Sequence, residues 1–86
     1  MTMSSEERRK IKGLIDGGFI ESDSPTIGNM ALFYDEHDIM VYAGIIENWP
    51  TIIATDVEWG QVERKDATKQ PFAGKKVRFF SPFKGD

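Results

Sequence analysis

Residues 30–46, MALFYDEHDIMVYAGII, decide the fold, because two apolar runs are separated by four polar residues, Asp35, Glu36, His37 and Asp38. Connections of this length and composition join the arms of β-hairpins. The stretch is therefore expected to form a hairpin, with arms at about 30–34 and 39–46. Strict alternation in the second arm puts Ile39, Val41, Ala43 and Ile45 on one face and Met40, Tyr42, Gly44 and Ile46 on the other. A strand that is apolar on both faces belongs in the middle of a sheet. One face is expected under a helix, the other closed by barrel curvature or by a partner.

Upstream, Ser4 and Glu7 have the spacing of a capping box, and Ile11, Leu14 and Ile15 recur at helical spacing among Arg8, Arg9, Lys10 and Lys12. A helix over about 5–16 follows, stopped by Gly17 and Gly18. Phe19 and Ile20 can anchor a short strand, and residues 21–26 read as a surface loop. Downstream, residues 47–50 form a turn, although Pro50 also suits the first position of a helix, so residues 50–62 are ambiguous between strand and helix. Alternation from Ile53 favours one strand over about 52–62, with a bend at Gly60. Residues 64–74 are expected as a loop and 75–80 as the last strand, which places Val77 and Phe79 opposite Lys76, Arg78 and Phe80. The fold class is α+β: one compact domain, an N-terminal helix on a mainly antiparallel sheet of three to five strands. The alternative is an SH3-like curved barrel with an N-terminal helix.

The 86 residues include ten aromatics and no cysteine. That composition supports a core and excludes disulfides, thiolate nucleophiles and cysteine-type zinc sites. No apolar run reaches the length of about 18 residues that a membrane span needs, and the N-terminal stretch lacks a signal-peptide core. A cytoplasmic protein is the expectation. Charge is segregated along the chain: residues 19–63 hold nine acids and no Lys or Arg, whereas residues 64–86 hold seven basic residues and two acids. An acidic segment of this kind attracts basic partners and speeds encounter.

No residue pattern announces catalysis. Asp35, Glu36, His37 and Asp38 are consecutive at a turn, where side chains splay apart instead of converging on a metal. Asp56 and Glu58 share a strand face, and are expected to pair with Lys76 and Arg78 should the last strand lie beside them. No serine sits in a nucleophile elbow, and no glycine-rich phosphate loop occurs. The expectation is a non-enzymatic protein without cofactor or metal. Its binding surface is expected to combine Asp35, Glu36, Asp38, Asp56 and Glu58 with the aromatic anchors Tyr34, Tyr42 and Trp49, engaging and inhibiting a basic protein such as a nucleic-acid-binding protein. Small viral inhibitor proteins share this size and charge character, an analogy of composition. A homodimer would supply a second cover for the two-faced strand. One alternative is a nucleic-acid-binding module built on Lys75, Lys76, Arg78 and Phe80, with basic residues on phosphates and the ring stacked on bases. A small accessory subunit or structural domain is the other.

Overall fold

The computed structural model describes residues 3–56 and 61–81. Helix α1, Ser5–Asp16, begins at the expected capping box: the Ser4 hydroxyl accepts from the Glu7 amide at 3.2 Å, and the Glu7 carboxylate accepts from the Ser4 amide at 3.3 Å. Six strands follow: β1 Ile20–Ser22, β2 Met30–Tyr34, β3 Met40–Asn48, β4 Thr51–Asp56, β5 Gln61–Asp66 and β6 Lys76–Ser81. They form one antiparallel sheet in the order β1-β6-β2-β3-β4-β5. The fold is α+β, with one strand more than the upper end of the expected range. The sheet has two edges, β1 and β5, among the described residues.

The hairpin of residues 30–46 is central, as its composition requires, and β2 is its most buried part. Ala31, Leu32 and Phe33 are at most 1 % exposed. Leu32 and Tyr34 face α1 in a cluster with Met3, Met40 and Phe80, closed by Ile11, Ile15 and Phe19. Ala31 and Phe33 face the other way, packed with Ile46, Ile52, Ala67 and Phe72. The cover of this second face comes from the chain's own β5–β6 connection, where the Phe72 ring packs at a tilt against Phe33 with centroids 4.9 Å apart. Trp49, at the β3–β4 turn, meets Phe79 of β6 edge-on at 5.0 Å. Rings from either side of β2 thus touch, as the coiling of the sheet allows.

Strict alternation in β3 is corrected by a bulge. The ladder pairs Phe33 with Tyr42 and Tyr34 with Met40, leaving Val41 without an opposite residue. The extra residue turns Met40 onto the helix face beside Ala43, while Tyr42 and Ile46 stay on the other face. Residues 52–62 are corrected as well. They are not one strand but parts of two, because Asp56 pairs with Gln61 and Thr51 with Asp66 in a β4–β5 hairpin. Alternation from Ile53 stays in register only as far as Gly60, and the break there reads equally as a bend within one strand or as a reversal. The expected bend at Gly60 lies outside the described residues. The last strand pairs with β1 and β2, not with residues 52–62. It carries Val77 and Phe79 on one face and the buried Phe80 on the other, so it belongs beside β2, and the charged β5, with Glu63, Arg64 and Lys65, takes the edge, where such residues deter further pairing.

Gly44 is required by close approach. A Cβ there would lie 2.9 Å from Ile52 Cδ1 and 3.2 Å from the Ile53 carbonyl oxygen. Gly44→Ala is expected to lower stability by about 1–3 kcal/mol, since the backbone oxygen cannot move aside without opening the β3–β4 ladder. Urea unfolding checks this, and an unchanged midpoint would contradict the packing of Ile52 on Gly44.

Candidate functional site

The turn between β2 and β3 is built by one carboxylate. Asp35 Oδ1 accepts from the His37 amide at 2.8 Å and from the Ile39 amide at 3.0 Å, while the Asp35 backbone exchanges bonds with Ile39 and Asp38. Asp38 takes a left-handed conformation, φ 60°, which Asp and Asn tolerate better than most residues. These bonds, led by that from Ile39, hold the Asp35 carboxyl below its ordinary range. Asp35 is thereby committed to the turn, and the groups it presents are Glu36 and Asp38, whose side chains are 85 % and 78 % exposed. Ile39 is exposed beside them. The result is an ordered projection carrying two carboxylates and one apolar side chain.

An open depression of about 490 Å³ lies between this tip and the end of the β5–β6 connection, with Asp35, Glu36 and Asp38 on one side and Lys75 and Lys76 on the other. Lys76 Nζ is 3.7 Å from Asp38 Oδ1, and Lys75 Nζ lies 5.8 Å from the centre of the Tyr42 ring. His37 Nε2 is 3.5 Å from Glu36 Oε1. Pairs this exposed are screened and contribute little to stability. They leave the tip's carboxylates open to exchange partners.

The expected aromatic anchors are placed differently. Tyr34 is corrected from an exposed anchor to a core residue: it is 9 % exposed, in the cluster under α1, with the Arg78 guanidinium carbon 5.7 Å from its ring centre. Burial pushes its phenol up, against the opposing pull of Arg78. Tyr42 is half-buried with its edge against Phe72 at 5.3 Å, and Trp49 is half-buried against Phe79. All three were candidates because polar-tipped aromatics suit interfaces, but the same rings fill a core equally well. Asp56 is the last residue of β4, the strand beside β3, and Glu58 lies outside the described residues.

The basic strand is neutralised by its neighbours. Arg78 donates to Glu21 of β1 at 2.6 and 3.1 Å and lies 5.2 Å from the Phe80 ring centre. Those bonds hold the Glu21 carboxyl below its ordinary range. The expected pairing of Asp56 and Glu58 with Lys76 and Arg78 is therefore replaced by Glu21 with Arg78 and Asp38 with Lys76. Phe80 is 2 % exposed beneath α1 and has no face to offer a base. Lys75 and Lys76 remain at the rim of the depression. Glu21 and Ile39 went unrecognised in the sequence because the first needs the strand order and the second needs the turn geometry.

Among the described residues no group of three or more His, Asp or Glu side chains is placed to hold a metal ion, and no helix is long and apolar enough to cross a membrane. No protein-family model, curated protein or solved structure matches this chain.

Two outcomes follow from the site geometry. Asp35→Ala is expected to speed hydrogen exchange at the His37 and Ile39 amides, whereas Asp35→Asn, which keeps a side-chain oxygen, retains most of their protection. Equal protection in wild type and Asp35→Ala would contradict the turn. Glu21 has a lowered folded pKa, so its contribution is present above the ordinary value of 4.5 and is lost as pH falls below it through the folded value. Glu21→Gln is expected to flatten that part of the stability–pH curve, measured by urea unfolding across the acid range.

Proposed function

We propose that the protein is a non-enzymatic binding protein whose acidic β2–β3 tip engages, and inhibits, a basic surface on a protein partner. The observation that carries this reading is the commitment of Asp35 to the turn, which fixes Glu36, Asp38 and Ile39 as a projecting group before any partner arrives. Preorganisation lowers the ordering cost of binding, and exposed carboxylates steer encounter with a cationic surface. A nucleic-acid-binding protein is a partner of this chemistry, since its site for phosphates accepts other anions. Binding to nucleic acid directly has less support, because Phe80 is buried and Arg78 is engaged by Glu21.

The test uses the wild-type chain and a Glu36→Lys/Asp38→Lys double variant as baits. A basic protein is expected on the wild type at low salt and released at high salt, with retention by the double variant lower by about tenfold or more. Gel-shift titrations with single-stranded and duplex oligonucleotides are expected to show no shift. Equal retention by both baits, insensitive to salt, would remove the proposal.

A further inference from the structure

The β1 margin of the sheet carries a second arrangement, independent of the hairpin tip. β1 pairs with β6 on one side, and the backbone groups that point away from β6 bond to nothing among the described residues. Beside it lies an open, mostly apolar depression of about 500 Å³. It is lined by Ile20, Glu21 and Ser22 of β1, by Ser81 of β6, and by Thr26, Ile27 and Asn29 of the loop that follows β1. Ile27 is 70 % exposed, the most of any large apolar side chain described, and Ile20 is 47 % exposed. Ile20 and Ser22 share a strand face, so an extended chain laid along β1 would direct alternate side chains into this depression.

The two edges of the sheet differ in what they admit. β5 presents the consecutive charged residues Glu63, Arg64 and Lys65, with both signs and on both faces, which opposes an incoming strand. At β1, Glu21 is already paired with Arg78, and the exposed Asp23 follows just past the strand's end. The charge that β1 leaves for an incoming segment is therefore negative. We infer that β1 receives an extended segment of a partner protein as a seventh strand, with apolar side chains seated between Ile20 and Ile27 and a Lys or Arg facing Asp23. In such strand addition, main-chain hydrogen bonds supply affinity and side-chain pockets at alternate positions supply specificity.

The probe is the capped heptapeptide Lys-Val-Thr-Val-Thr-Val-Lys, titrated into isotopically labelled protein and followed by amide chemical shifts and hydrogen exchange. Shifts and new protection are expected at residues 20–22 and at Ile27. Affinity is expected to fall by about tenfold in Ile27→Glu and in Asp23→Lys, both exposed positions whose change leaves the core intact. A peptide N-methylated along the edge that faces β1 is expected not to bind, because it cannot donate to the strand. Three results would each overturn the inference: no perturbation at β1; protection of residues 20–22 already complete in dilute protein, which would mean that the chain fills its own edge; or protection that rises with protein concentration alone, which would mean that a second copy does.

Discussion

Burial of both faces of β2 is the constraint on which the rest of the structure depends. Leu32 and Phe33 point in opposite directions and neither reaches solvent, so each needs its own cover. α1 supplies one and the β5–β6 connection, through Ala67 and Phe72, supplies the other. Strands with buried apolar side chains on each face, β6 and β3, must then flank β2, because only the middle of the sheet has a cover on each side. Short β1 and charged β5 are left for the edges. In a chain of this size, where little surface is available for burial, a second core elsewhere is not an option.

The same strand order rearranges the charge. Along the chain the acids and bases are segregated, yet in the sheet basic β6 lies between β1, with Glu21, and β2, which leads to the acidic tip. Glu21 meets Arg78, Asp38 meets Lys76 and Glu47 meets Arg64. Part of the acidic segment is thus neutralised by its neighbours. The tip is a directed negative surface, where Asp35 commits its carboxylate to backbone amides and Glu36 is exposed beside His37. The tip is of interest for a narrower reason than net charge: negative charge there is both exposed and held in position.

Much of the fold was legible because it rests on short-range rules. The capping box at Ser4 and Glu7, the helix ending at Asp16 and the strand Met30–Tyr34 stand where local pattern puts them. The last strand begins and ends within a residue of its expected bounds. The site was legible only in part. Asp35, Glu36 and Asp38 were identified from composition at a turn, but the burial of Tyr34 and the partner of Arg78 were not, since both depend on residues more than forty positions away in the chain.

The sequence by itself determined the N-terminal helix, the 30–46 hairpin and its central place, the last strand, and where acid and base are concentrated. These follow from periodicity, capping and burial of apolar side chains, all of which act between residues close in the chain. Tertiary structure alone decided the order of the strands, the split of residues 51–66 into two arms, and the one-residue bulge that carries Met40 across to the helix face. The physical reason is the two-residue period of a strand: one extra residue or one reversal exchanges its faces without changing its composition. Which aromatic rings become core, and which carboxylates stay free, is settled only when those faces meet their neighbours.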